Sequence, residues 1–346
     1  MPMKPNSHQI KVMVAGVGGA SLGTEIYKSL HLAGGYDIFG CDVSPTAFGL
    51  YQSGFTKTYR VQRDNYSTSV LNACLDANAR FVIPGGEQPM QLLGAASRTF
   101  AASGIHVVAN SPEVIVRNSD KSATFAALNA HGIPIPKTIV ISSATDLEHT
   151  GLPCVVKPVT GSGGSAGVFF AVSADEAMIY ANYIRRTDRI PIAQEYINDD
   201  EGEFTIGVLS LPDGRCAGSI ALRRAFDAKL SVAYRGRGGL ISSGYSQGFI
   251  GDFPNLQRQA EHIAVALGSV GPFNVQGRVR GGVLLPFEVN PRISASTYLR
   301  AMAGFNEVDL LINHLVTGQF PNRPTIFSGW YLRSLSEQFV PEELLK

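Results

Sequence analysis

The chain has 346 residues, 45% of them apolar and 16% charged, with 29 Lys plus Arg against 28 Asp plus Glu. That length and apolar content suit two or three packed lobes and argue against a disordered or coiled-coil chain. A net charge of +1 gives no reason to expect nucleic acid as a partner. No run approaches the ~18–20 apolar residues of a membrane span, and the start, MPMKPNSHQIKV, lacks a signal-peptide apolar stretch. Cys41, Cys74, Cys154 and Cys216 are widely spaced, with no CxxC pair. A zinc cluster or disulfide framework is therefore not expected, and the reading is a cytoplasmic protein that neither spans nor binds a membrane.

Strand-like and helix-like patterns alternate through the first third. Residues 10–15 (IKVMVA) read as a strand, 21–33 as a helix, 36–43 as a strand and 67–78 as a helix. A strand over 80–83, a helix over 89–103 and a strand over 105–109 follow. Such alternation predicts a parallel sheet with helices on its faces, a Rossmann-like lobe over about residues 1–115. Residues 120–131 read as a helix that Ser119 or Asp120 caps. Short strand runs then follow, KTIVI, PCVVKP, GVFFAV and PIAQEYI, with one helix over 174–186. From 203 onward EFTIGVL, CAGSIAL, FNVQGRV and VLLPFEV lead to a helical tail. The later strands predict antiparallel sheets, so the chain combines an α/β lobe with α+β architecture. The division is 1–115, then a linker helix and lid over 116–198, then a C-terminal lobe over 199–346.

Two glycine-rich stretches carry chemistry. Gly16-x-Gly18-Gly19-x-x-x-Gly23 follows a strand and opens a helix, with Asp42 ending the next strand. The spacing is not GxGxxG, and a glycine turn here is common to any Rossmann-like lobe. Gly163 to Gly167 fits G-x-S-x-G, but the strand pattern VFFAV follows where a nucleophile elbow needs a helix. The loop over 161–167 instead joins two strands, and its backbone N–H groups can close over phosphate oxygens. Lys157 stands just before it, placed to reach a phosphate as a point charge. A mobile hairpin with a solvated lysine is the competing reading.

The third constellation is a hairpin, 273–279 and 283–290, with Gly281-Gly282 between. Alternation puts Glu288 and Asn290 on one face. A turn over 281–283 pairs 280 with 284 and, continuing, Gln276 with Glu288. One carboxylate and two amide oxygens then share a face. That oxygen-only set suits Mg²⁺, and Arg292 beyond Pro291 can brace a phosphate bidentately. A solvent-facing polar hairpin is the alternative.

Together, Asp120-Lys121, VVKPVTGSGGSAGV, AQEYI with Glu203, NVQ and FEVNPR resemble the ATP-grasp superfamily over nearly the whole chain. The likeness is nearest to one synthetase half of the carbamoyl-phosphate synthase large chain. It implies a Rossmann-like first lobe, a small lid and an antiparallel-sheet lobe, with ATP between two sheets. By position it implies that Lys121 and Lys157 hold ATP phosphates and that Gly163 and Gly164 lie in the lid loop. Glu195 and Ile197 would meet adenine through their backbone, with Gln194 near its amino group, and Glu203 would bind ribose. Gln276, Glu288 and Asn290 would hold two Mg²⁺ ions, with Mn²⁺ as a substitute, Glu288 bridging them.

The implied activity is ATP-dependent ligation of a carboxylate to an amine through an acylphosphate, with Lys157 and Arg292 neutralising the transferring phosphoryl group. Bicarbonate or carbamate phosphorylation and a non-catalytic ATP-binding regulator are the alternatives. The synthase's glycine-histidine-threonine-glycine-aspartate segment is replaced here by ALRRAFDAKLSVAYRGRGG. Residues 223–237 hold five cations. Of these, Lys229, Arg235 and Arg237 are candidates for the substrate carboxylate, unless the segment is a solvated basic loop. Glu87, after Pro84-Gly85-Gly86, is the candidate for the amine or caps the following helix. The expected partners are these small molecules, with a homodimer left open.

Overall fold

The computed structural model describes residues 9–161 and 165–346. The chain forms two compact units. The first comprises Met1–Ile115, Arg292–Thr325 and Ser334–Lys346, and the second Val116–Pro291 and Ile326–Arg333.

The first unit is built on five parallel strands, β1 (Ile10–Ala15), β2 (Tyr36–Asp42), β3 (Lys57–Arg60), β4 (Phe81–Pro84) and β5 (His106–Val107), in the order β3-β2-β1-β4-β5. The central strand is apolar because both its faces are covered: Val12 through Ala15 are fully buried. The glycine turn after β1 is a packing device. Gly16 has φ +101°, and a Cβ added to Gly23 or Gly85 would lie 1.8 or 2.1 Å from the Gly16 carbonyl oxygen. The turn, the first helix and the end of β4 therefore meet backbone to backbone, which only glycine permits.

Two expectations are corrected here. The helix expected over 89–103 is two helices, Glu87–Ala95 and Ser97–Ala102, parted at Ala96, whose φ and ψ of −90° and 5° are not helical. The strand expected over 105–109 pairs only through His106 and Val107. The helical tail belongs to this unit. Helices Thr297–Met302 and Glu307–Thr317 pack on helix Leu22–Ala33. Asn306 donates to Ser29 O at 2.7 Å, and Tyr36 donates to Asp309 Oδ1 at 2.6 Å.

The second unit carries a four-stranded antiparallel sheet of β6 (Thr138–Val140), β7 (Cys154–Pro158), β8 (Phe169–Ala171) and β9 (Pro191–Glu195), in the order β6-β9-β7-β8. Helix Ala174–Arg185 covers it, its Ser173 N-cap accepting from the Glu176 N–H at 3.2 Å. Ala177, Ala181 and Ile184 join Cys154, Val156 and Ala193 in one core. A larger antiparallel sheet combines β10 (Glu203–Ser210), β11 (Cys216–Arg224), β14 (Gly248–Ile250), β15 (Pro272–Arg280), β16 (Val283–Asn290) and β17 (Gly329–Tyr331). Its order is β16-β15-β10-β11-β14-β17, and helix Pro254–Ala266 packs on β10 and β11. Strands β12 (Val232–Gly236) and β13 (Gly239–Ser242) form a separate hairpin.

The β15–β16 turn is one residue tighter than the sequence reading. Gly281 and Gly282, at φ +59° and +74°, form a two-residue turn, and Arg280 pairs with Val283. An unbroken ladder from that turn would set Gln276 opposite Phe287. A bulge intervenes: Gly277 pairs with Pro286 and Gln276 with Glu288, leaving Phe287 as the extra residue. Pro286 offers no ladder N–H, so the bulge falls where the ladder is already weakened. Among the described residues, no helix is long and apolar enough to cross a membrane.

Candidate active site

One face of the larger sheet is polar because of strand alternation. Glu203 and Thr205 on β10 pair with Arg278 and Gln276 on β15, and Gln276 and Asn274 pair with Glu288 and Asn290 on β16. Gln276 Nε2 donates to Glu288 Oε2 at 3.2 Å. Thr205 donates to Asn274 Oδ1 at 3.0 Å. Asn290 is buried, and its Nδ2 has no hydrogen-bond partner among the described residues. The Glu288 carboxylate and the amide oxygens of Gln276 and Asn290 make a set that fits a hard divalent cation, which takes few protein oxygens, whereas the open Asn290 Nδ2 is a donor that suits an anionic oxygen. Among the described residues no three His, Cys, Asp or Glu side chains cluster for a softer metal.

Lys157 is buried within the same unit. Its Nζ donates to Gln194 Oε1 and to the carbonyl of the bulge residue Phe287, both at 2.8 Å. Gln194 Nε2 in turn donates to Thr138 Oγ1 at 2.9 Å, which fixes the amide's orientation. Burial, and secondarily the Lys121 ammonium, pull the Lys157 pKa down to about 7, while Glu288 pulls the other way. Lys121 opens helix Lys121–Ala130, which Asp120 caps by accepting from the Ala123 N–H at 2.9 Å. Lys121, Lys157, Gln194 and Glu288 are thus brought into one electrostatic neighbourhood.

Other residues singled out in the sequence have different settings. The Glu203 carboxylate is enclosed by two arginines, Arg278 Nε at 2.9 Å and Arg224 Nη1 at 3.3 Å, with about 1% of the side chain exposed. Glu195 accepts from Arg280 Nη1 at 2.6 Å and from the Lys137 N–H at 3.2 Å. The Ile197 carbonyl accepts from Arg278 Nη1 at 2.6 Å. Lys229, Arg235 and Arg237 are exposed on and beside the β12–β13 hairpin. Arg235 donates to Phe226 O at 3.0 Å, and Arg237 pairs with Glu176. Glu87 starts helix Glu87–Ala95, and Arg292 donates to Ile293 O at 3.1 Å; both belong to the first unit. Gly163 and Gly164 lie outside the described residues.

The structure adds residues that the sequence reading did not single out. Asn274 and Arg278 lie two positions either side of Gln276 on its face, so alternation along NVQGR already carried that signal. Arg224 stood in the sequence as one of a run of loop cations, yet it ends β11 inside the sheet, buried. The Phe287 carbonyl had no sequence signal apart from Pro286.

Parallel and antiparallel sheets in this order, with an oxygen-rich hairpin beside a buried lysine, define a mixed α/β architecture. The ATP-grasp domain family matches residues 118–296, and the chain belongs to that family. The carbamoyl phosphate synthase large chain of Neisseria meningitidis serogroup B is 27% identical over 216 residues, covering 61% of this chain and 19% of that one. The chain therefore spans about a fifth of the length of such relatives. A D-alanine–D-alanine ligase of Corynebacterium glutamicum is 30% identical over 151 residues, 42% of this chain and 39% of that one. The biotin carboxylase β-γ-ATP complex from Campylobacter jejuni shares the fold with a TM-score of 0.68 at 14% identity, over 92% of this chain and 74% of that one.

Proposed function

We propose that the chain is an ATP-dependent ligase that joins a carboxylate to an amine through an acylphosphate. The observation that carries this reading is the buried Lys157 ammonium, held by Gln194 and the Phe287 carbonyl beside the Gln276–Glu288–Asn290 oxygen set. Lys121 and Lys157 would meet the triphosphate as point charges, and Glu195 and Ile197 would border the adenine. Gln276, Glu288 and Asn290 would hold Mg²⁺, which when bound supplies charge neutralisation at the phosphate oxygens. A substrate carboxylate oxygen attacks the γ-phosphorus, breaking its bond to the β–γ bridging oxygen and releasing ADP. The amine nitrogen then attacks the acyl carbon, loses a proton and expels phosphate. Neither step needs a side-chain nucleophile, so the residues act by positioning and neutralising charge. Lys229 and Arg235, exposed in the segment that departs from the synthase pattern, are the proposed carboxylate contacts.

The test is ADP release measured across a panel of carboxylic acids, each with and without amino acids as amine donors. Stimulation by one acid–amine pair supports the reading. Stimulation by bicarbonate alone replaces it with bicarbonate phosphorylation of the synthase kind. Binding of ATP with no turnover under any condition points to a regulator.

A further inference from the structure

The β12–β13 hairpin stands in the segment that departs from the synthase, and its contacts reach both sheets of the second unit. On the four-stranded side, Ser165 donates to Ser242 O at 2.7 Å, and Arg237 pairs with Glu176 at the start of helix Ala174–Arg185. Phe170 of β8 lies 5.8 Å from the Tyr234 ring. It packs so closely on Gly239 that an added Cβ would come within 2.3 Å of the ring. On the six-stranded side, Arg224 donates to Ser243 O and Arg278 to Leu240 O, both at 2.7 Å. The hairpin is thus fastened to both sheets, which the Lys157–Phe287 and Arg280–Glu195 bonds also bridge.

Two side chains join these fastenings to the segment 195–197. Tyr196 Oη accepts the Leu240 N–H at 2.8 Å. Its ring lies 4.8 Å from Phe170 and also 4.8 Å from the Arg278 guanidinium carbon. Arg278 also donates from Nη1 to the Ile197 carbonyl at 2.6 Å and from Nε to Glu203 at 2.9 Å. The guanidinium thus holds Ile197, Leu240 and Glu203 at once, with Tyr196 stacked on its face. Glu203 is the anchor that keeps this buried cation in place.

We infer that Tyr196 and Arg278 are positioning residues, and that through them the β12–β13 hairpin acts as a clasp setting the geometry of segment 195–197. The consequence for ligand binding rests on the reading of that segment as the adenine border. Tyr196→Phe tests it, since it removes one acceptor and keeps the ring. Amide hydrogen exchange at Leu240 is expected to quicken, and the melting temperature to fall by a few degrees as a buried N–H loses its acceptor. Affinity for a non-hydrolysable ATP analogue is expected to fall by about 5-fold, because a loosened segment 195–197 has to be ordered when the analogue binds. Arg278→Lys keeps the charge but loses the planar fork, and is expected to quicken exchange at both Leu240 and residues 195–197. Unchanged exchange at Leu240 in Tyr196→Phe overturns the clasp. Faster exchange with unchanged analogue affinity separates hairpin from segment and also overturns it. If the unaltered chain binds no analogue, the nucleotide reading fails instead, and exchange at 195–197 in Arg278→Lys alone decides the clasp: faster supports it, unchanged overturns it.

Discussion

Gln276 and Glu288 face each other across β15 and β16, amide to carboxylate at 3.2 Å, because Phe287 is an extra residue in the ladder. Were Phe287 paired in an unbroken ladder instead of bulged, it would face Gln276, and Glu288 would fall opposite Val275 on the other face. The same bulge leaves the Phe287 carbonyl for Lys157. One irregularity therefore sets both the carboxylate and the ammonium of the candidate site.

Glu288→Gln keeps side-chain volume and hydrogen-bonding capacity but removes the only carboxylate of the proposed cation set. ATP turnover is expected to fall by about 100-fold or more, with the circular dichroism spectrum unchanged. Near-normal ADP release from this variant would remove Glu288 from the cation set.

Lys157 gives a pH dependence with a definite sign. Its folded pKa is lowered to about 7 from 10.5. Between those values the unfolded chain binds the proton that the folded chain has lost, so stability from this group rises with pH across that window. Urea denaturation of the intact chain at about pH 7 and pH 9 measures the slope, and Lys157→Met should flatten it. Equal slopes for the two proteins would show that Lys157 stays charged in the fold.

Arg300 and Glu307 form a fully buried ion pair in the first unit, Nη1 to Oε1 at 3.4 Å. Glu307→Leu removes the carboxylate from a buried guanidinium and is expected to cost about 3–5 kcal/mol. Arg300→Met combined with Glu307→Leu should recover most of that loss, because a packed apolar pair avoids the desolvation penalty. Chemical denaturation of the single and double variants checks this. A double variant no better than the single would mean that packing, not charge burial, sets the cost.

Arg235→Ala is expected to raise the KM for the carboxylate substrate by about 5- to 150-fold, with the Kd for ATP little changed. Saturation curves for each substrate make the measurement. Equal losses for both would move Arg235 to the triphosphate, and no loss would return it to solvent.

The alternation of FNVQGRV and FEVNPR was enough to read the polar face, and the Gly281-Gly282 pair was enough to read the hairpin. The pairing of Gln276 with Glu288 was legible for a partly wrong reason. The sequence reading made the turn one residue too long and the ladder unbroken, and the two differences cancel. Pro286 marks where the ladder is weak, but the partner of the bulge carbonyl, Lys157, comes from another sheet, and no local propensity encodes that meeting. Glu203 illustrates the same gap. A glutamate opening a strand looks available to a ligand, but its two arginines arrive from β11 and β15 only once sheet order is known. The glycine turn after β1 was visible as a motif, whereas the backbone contact that demands it needed Gly85 brought alongside.

The first unit closes with residues from near the chain's far end. Tyr36 and Asp309 are bonded across a sequence separation of 273 residues, and Asn306 reaches Ser29 across 277. During synthesis one face of helix Leu22–Ala33 therefore stays uncovered until residues 297–317 emerge, after the whole of Val116–Pro291. Fragments cut at residue 115 would inherit that uncovered face permanently. The N-terminal lobe is thus not a transferable module, and any fusion or domain exchange with this chain has to carry residues 292–325 along with it.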